Sequence, residues 1–126
     1  MAYVGNDSRT FLDTNANLTL TKDTHAGVVI NVVSDAKTIT LPAAAAGLVF
    51  IVRNGGVSAG PAGAVSDATV AVTIAPNGTD TIGGAGRTTA NSSLVNTKAT
   101  SFVGDEVTLL GVSGAWTIIN KRGTWA

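Results

Sequence analysis

The chain has 126 residues, no cysteine and a formal net charge of zero, and 13% of its residues are charged. This length suits one domain, and the lack of cysteine excludes disulfides and thiolate-bound zinc. The balanced charge lacks the basic excess that nucleic-acid binding needs, and the apolar run at 48–52 is far too short to span a bilayer. We therefore expect a single domain that binds neither nucleic acid nor a membrane.

The first sixteen residues are polar and show no regular hydrophobic period. They contain no basic start and no apolar core segment, so we predict no secretory signal and expect synthesis in the cytosol. We predict an extended N-terminal arm over 1–16 and one β domain over 17–126. Because ordering a free arm costs backbone entropy, its side chains need burial against a partner. The predicted partner-binding residues are Tyr3, Val4, Arg9, Phe11, Leu12 and Trp125.

From residue 17 onwards, short segments rich in β-branched residues follow one another at close spacing. They predict strands at 17–21, 25–33, 37–41, 48–52, 68–75, 97–102, 106–112 and 115–120. The alanine run 43–46, between Pro42 and Gly47, predicts one helical turn. The pattern is typical of an all-β fold, and we predict a single-domain antiparallel β-sandwich, with a jelly roll as one candidate topology. The predicted core comprises Leu48, Phe50, Val52, Val70, Val72, Ile74, Leu109, Trp116 and Ile118.

The sequence contains partial matches to two motifs of enzymes, and neither match is complete. The stretch 56–60 matches the G-x-S-x-G nucleophile pattern, but Pro61 follows it and the only histidine, His25, precedes it. The glycine-rich stretch 83–87 resembles a phosphate loop but lacks the Lys-Ser/Thr ending, so we predict a flexible turn. We predict that the chain is not an enzyme and has no catalytic residues.

Metal binding has equally little support in the sequence. Residues 13–17 resemble the start of a calcium loop, but Leu18 and Thr24 stand where that loop needs glycine and an acid. His25 alone cannot hold a metal, and we predict it as a surface residue at a strand end. The adjacent acids Asp105 and Glu106 should point to opposite faces of a strand. We therefore predict no cofactor and no metal.

Three phrases between residues 38 and 126 carry a resemblance. They are TITLPAAAAGLVFIVRN (38–54), VTIAPNGTDTIGG (72–84) and NTKATSFVGDEVTLLGVSGAWTIINKRGTWA (96–126). Their order resembles the capsid decoration, or head cement, proteins of tailed bacteriophages. Modules of phage tail fibres share the strand–Pro–turn phrasing, but the ending from Trp116 to KRGTWA favours the decoration group. The resemblance does not cover the N-terminal arm, and the loop 54–66 is longer than the decoration-protein pattern leads us to expect.

The resemblance implies a structural protein on the outer surface of the virion capsid, made in the bacterial cytoplasm. Its partners would be the major capsid protein, whose subunits it bridges to stabilise the head, and further copies of itself. A trimer is favoured over a dimer. The alternative is a receptor- or carbohydrate-binding module of a tail fibre. Sugar sites usually present exposed aromatic side chains, and most aromatic residues here are predicted as core or terminal anchors.

Overall fold

The structure is a computed structural model, and it describes residues 10–57, 70–87 and 92–126. These residues are mostly β, with one short helix, α1 (Lys22–His25), and a 3-10 turn at Lys98–Thr100. No helix among them is long and apolar enough to cross a membrane. The strands are β1 (Phe11–Thr14), β2 (Leu18–Thr19), β3 (Val29–Val32), β4 (Lys37–Thr40), β5 (Val49–Asn54), β6 (Val72–Ala75), β7 (Thr81–Gly83), β8 (Leu94–Asn96), β9 (Glu106–Val112) and β10 (Ala115–Arg122).

The strands form two sheets. The six-stranded sheet has the order β1-β3-β5-β9-β10-β7, and the four-stranded sheet has the order β2-β4-β6-β8. The first six strands alternate between the sheets, and their neighbours in each sheet are parallel, as are β7 and β10. The pairs β5–β9, β9–β10 and β6–β8 are antiparallel. The all-β prediction is confirmed, but the prediction of an antiparallel fold is wrong. The sequence pattern could not distinguish parallel from antiparallel strands, because side chains alternate in the same way in both.

One apolar cluster draws side chains from both sheets. The inward positions of β5 and β9 are Phe50, Val52 and Leu109, and those of β4 and β6 include Ile39 and Ile74. Eight of the nine predicted core residues are buried, and the ninth, Leu48, is partly buried against the cluster. The rings of Phe50 and Trp116 meet edge to face with centroids 5.4 Å apart, a favourable aromatic geometry.

Two local predictions are wrong. The segment 43–46 is not helical, since the N–H of Leu48 bonds to the carbonyl of Ala45 (3.3 Å) around Gly47, whose φ is +88°. An isolated helical turn gains little by itself, and the residues that follow this segment, Gly47 and Leu48, form backbone bonds with Gly111 instead. The predicted strand 97–102 is interrupted by the 3-10 turn, and its pairing is made instead by the preceding strand β8.

Helix α1 replaces the start of the predicted strand 25–33. His25 is buried, and its Nδ1 accepts a hydrogen bond from the backbone N–H of Thr21 (2.9 Å). This local bond, together with the backbone bond from His25 N to the carbonyl of Thr21 (3.0 Å), closes the turn. The prediction of an exposed strand-end histidine is therefore wrong.

Part of the predicted arm belongs to the sheet. Residues 1–9 lie outside the described residues, but Phe11–Thr14 pairs in parallel with β3. The N–H of Val29 donates to Thr10 (2.8 Å), and that of Val33 donates to Thr14 (2.9 Å). Backbone hydrogen bonds rather than a hydrophobic period place this segment, which explains why the sequence pattern missed it.

Candidate interaction surface

The six-stranded sheet has one face on the core and one face turned away from it, which we call the outer face. Paired residues of neighbouring strands lie on the same face, so the register identifies its members. Phe11, Val29, Ile51 and Thr108 form one row across β1, β3, β5 and β9. Their neighbours along each strand, such as Ile30 in β3, point into the core. In this row Phe11 is 54% exposed, Ile51 and Thr108 are half-buried, and Val29 is fully buried.

A second set of apolar side chains adjoins this row. Val49 and Leu110 are paired, and each stands two residues from a member of the first row. Ile118 is buried, whereas Ile119, the extra residue where the β9–β10 register shifts, is 54% exposed. A bulge of this kind redirects a side chain and is a recurrent feature of functional surfaces. We call the following residues the outer apolar patch: Phe11, Val49, Ile51, Leu110, Val112 and Ile119.

A row of polar side chains, the polar ladder, borders the patch two residues further along the strands. It consists of Asp13, Asn31, Arg53, Glu106 and Arg122, which are in register across five strands. Asn31 Nδ2 donates to Asp13 Oδ1 (2.9 Å), and Arg53 Nη1 donates to Asn31 Oδ1 (2.7 Å). Asn31 lies between Asp13 and Arg53, and Glu106 is paired in register with both Arg53 and Arg122. Polar groups of the ladder therefore have complementary neighbours within it.

The predicted partner-binding residues do not form one surface. Phe11 lies on the outer face and is 54% exposed, while Leu12 follows on the opposite face, in register with Ile30. Trp125 is 4% exposed within the core, and its Nε1 donates to the carbonyl of Arg122 (3.1 Å). Its indole is therefore used within its own chain and is not available to a partner. Tyr3, Val4 and Arg9 lie outside the described residues.

Sequence reasoning missed the contribution of β9 and β10 to the outer face. In the segment 106–112, Leu110 and Val112 alternate with the core residues and lie on the other face. Two consecutive isoleucines, Ile118 and Ile119, interrupt strict alternation, which is the signal that could have indicated the bulge. The exposed apolar character of these strands was thus present in the pattern.

A buried polar cluster lies where β5, β8 and the turn before β9 meet. Asn54 Nδ2 donates to Asn96 Oδ1 (2.7 Å) and to the carbonyl of Val70 (2.7 Å). Asn96 Nδ2 donates to Asp105 Oδ2 (3.1 Å) and to the carbonyl of Thr124 (2.8 Å). These amide and carboxylate groups bond one another and the backbone, which is the arrangement of a structural clamp. Nothing in it is poised as a nucleophile with a base.

The acids also separate as expected. Asp105 points into the polar cluster, while Glu106 lies on the polar ladder between Arg53 and Arg122. Within the described ranges, no group of three or more histidines and acids could hold a metal ion. No protein-family model, curated protein or solved structure matches the chain. The outer face is therefore the feature from which a function can be inferred.

Proposed function

We propose that the protein is a structural virion component, a decoration protein that binds the outer surface of a phage capsid and bridges major capsid protein subunits. The observation that carries the proposal is the outer apolar patch. Phe11, Val112 and Ile119 of this patch are exposed, and its other three members are half-buried. Exposed apolar side chains gathered on one face of a sheet are typical of a site that another protein covers. Among the described residues, no group of three or more histidines and acids that could hold a metal ion competes with this surface.

The border of the patch suits a close contact. Covering a polar group is costly unless its hydrogen bonds are preserved. In the polar ladder, Asp13, Asn31 and Arg53 already bond in series, so a partner can cover them without leaving them unpaired. Many copies bound to one particle multiply a modest contact by avidity. This combination fits a protein that is repeated over a large lattice.

The architecture we propose is a β-sandwich. Two sheets that share one apolar cluster form the two layers such a fold needs. A jelly roll is built from antiparallel strands, whereas β1 to β6 pair in parallel and alternate between sheets. A sandwich in which successive strands alternate between two sheets therefore describes β1 to β6 better than a jelly roll does.

Self-association is part of the proposal, with a trimer favoured over a dimer. Strand β1 is an edge of the six-stranded sheet, and an edge strand leaves backbone groups free to pair with another chain. Its outward side chain, Phe11, is more than half exposed. The edge and the outer apolar patch thus meet at one place, where a second copy and the capsid protein would both make contact.

The tail-fibre alternative receives less support from the aromatic residues. Trp116 and Trp125 are buried. The exposed aromatic side chains within the described residues are Phe11, on β1, and Phe102, in the turn before β9, so they lie on different elements. This distribution favours a protein-binding surface over a glycan-binding one.

The test is co-sedimentation of the purified protein with undecorated capsids of the phage that encodes it. We expect the double variant Phe11→Ser/Ile119→Ser to bind at least about tenfold more weakly, because each truncation of a central interface residue costs about 1 kcal/mol or more. Its unfolding transition should stay close to that of the wild type, since both side chains are exposed.

The matched control is Phe102→Ser. Phe102 is 73% exposed but lies in the turn before β9, not on the outer face. Its substitution should leave capsid binding unchanged. Wild-type binding by the double variant would contradict the assignment of the outer face.

A further inference from the structure

A cavity of about 420 Å³ lies beside the edge strands β7 and β8, and none of its lining residues belongs to the outer apolar patch. Its volume is within the range of small-molecule sites, which is about 300–1,000 Å³. The glycine-rich stretch 83–87 supplies one wall, and the C-terminal residues supply another. The lining residues are Ala85, Gly86, Arg87, Ser92, Ser93, Lys121, Trp125 and Ala126.

Arg87 places a fixed positive charge at this cavity. Its guanidinium donates to the carbonyls of Ile82, Ser92 (3.1 Å) and Ser93 (2.7 Å) and to Ser92 Oγ (2.8 Å), and all of these acceptors are neutral. Its Nε is buried and has no hydrogen-bond partner among the described residues. Burial also lowers the pKa of Arg87, because the charged form loses solvation. Among the described lining residues there is no aspartate or glutamate. The negative group at the wall is the carboxylate of the terminal residue Ala126, whose O accepts the N–H of Val95 (2.8 Å), so the positive charges of Arg87 and Lys121 outnumber it.

The remaining polar groups of the wall are mainly donors. Lys121 is exposed at the rim and makes no ion pair among the described residues. Ser92 Oγ already accepts a bond from Arg87, which leaves its hydroxyl proton to donate. In the turn closed by the bond from Arg87 N to Gly84 O (3.0 Å), the N–H groups of Ala85 and Gly86 have no acceptor within the described part of the chain.

The backbone of that turn is unusual. Gly84, Ala85 and Gly86 have φ values of +95°, +51° and +83°. A left-handed conformation is unfavourable for alanine, and such residues cluster at binding sites, where the backbone approaches a ligand. Successive backbone N–H groups in turns form anion-binding concavities.

We propose that the cavity binds an oxyanion of the phosphate class, either free or carried on a small organic molecule. Lys121, the hydroxyl of Ser92 and the N–H groups of the Gly84–Gly86 turn contact the anion. Arg87, whose N–H groups are largely occupied, holds the turn and supplies a second positive charge. This site is separate from the outer apolar patch and does not depend on capsid binding.

The test is a ¹H–¹⁵N NMR titration of the full chain with inorganic phosphate at constant ionic strength, maintained with chloride. We expect saturable shifts at the backbone N–H groups of Ala85 and Gly86. Lys121→Gln should weaken binding by about tenfold, the effect of losing one charge-assisted hydrogen bond. A parallel titration with ribose 5-phosphate tests whether the ligand is free phosphate or an organic phosphate. If the organic part of the ligand also contacts the cavity, ribose 5-phosphate should bind more tightly than free phosphate.

Lys22→Gln is the matched control, since it removes the same charge from the exposed start of α1. It should leave the affinity unchanged. Absence of saturable shifts in the wild-type protein, or equal weakening by the two lysine variants, would overturn the proposal. The test does not depend on Arg87 variants, because Arg87 also anchors the carbonyls of the surrounding turns.

Discussion

Gly111 lies in β9, where an added Cβ would overlap the carbonyl oxygen of Ala45 and crowd the ring of Trp116. The backbone cannot easily move away, because Gly111 N donates to Leu48 O (2.7 Å) and Gly47 N donates to Gly111 O (3.0 Å). We therefore expect Gly111→Ala to lower the free energy of unfolding by about 1–3 kcal/mol, the usual effect of overpacking. Urea denaturation followed by circular dichroism measures this change.

Gly83→Ala provides the control for that variant. Gly83 also lies in a strand, but a Cβ there would meet nothing within 4 Å. Alanine restricts the unfolded chain more than glycine does, so the stability should be unchanged or slightly higher. Equal destabilisation by the two substitutions would contradict the close approach of the 43–48 segment to β9.

Asp35 links three parts of the chain through its carboxylate. It accepts the N–H of Ala71 (2.8 Å) and of Ala36 (3.0 Å), and Lys98 Nζ lies 2.8 Å from Oδ2. The Ala71 bond above all, with Lys98 next, holds the pKa of Asp35 below its ordinary value of 3.8. The charged carboxylate is thus the form that the fold prefers.

This lowered pKa gives a pH prediction. A carboxyl whose pKa is lower in the folded than in the unfolded state stabilises the fold above the unfolded pKa and loses that contribution as the pH falls through the folded pKa. The difference in unfolding free energy between the wild type and Asp35→Asn should be constant from about pH 7 to 5 and shrink below about pH 4. Urea titrations across this range measure it. An undiminished difference at pH 3 would contradict the proposed role of the charge.

At the scale of elements, the buried polar cluster joins strands that are far apart in sequence. Asn96→Ala removes the Oδ1 that accepts from Asn54 Nδ2 and the Nδ2 that donates to Asp105 Oδ2 and to the carbonyl of Thr124. Leaving a buried polar group without a partner costs about 1–3 kcal/mol, so the variant should lose at least that much unfolding free energy. Asn15→Ala, an exposed substitution in the β1–β2 connection, is the control for the same denaturation experiment. Near-equal stability of the two variants would contradict the role of the cluster.

Elements with a clear alternation could be predicted from the sequence. The segments 106–112 and 115–120 form β9 and β10 with at most two residues of difference at one end. The same pattern identified Phe50, Val52 and Trp116 as core residues. Alternation works here because one face of each strand is buried against a single core.

Other features depend on contacts that no local pattern contains. The parallel pairing of β1, β3 and β5 is set by segments that are widely separated in the chain. The bond between Asn54 and Asn96 spans 42 residues. His25 is buried because of a local bond to Thr21, although its position beside a β-branched run suggested a strand. The outer face likewise needs the register of five strands before its apolar members can be seen together.

At the scale of the whole molecule, the two faces of the six-stranded sheet have different roles. The inner face contributes Phe50, Leu109 and Trp116 to the core, while the outer face leaves Phe11 and Ile119 exposed beside a row of paired polar groups. A formal charge of zero removes long-range repulsion between copies of the chain. These properties favour dense packing of many copies on one surface.

Copy number in purified virions tests the central claim most directly. Quantitative mass spectrometry of intact particles gives the molar ratio of this protein to the major capsid protein. If it decorates the capsid, it should be present in hundreds of copies in a fixed ratio to the capsid subunits, as repeated binding to a symmetric lattice requires. A few copies per particle, in the ratio of a tail component, or its absence from the virion would contradict the proposal.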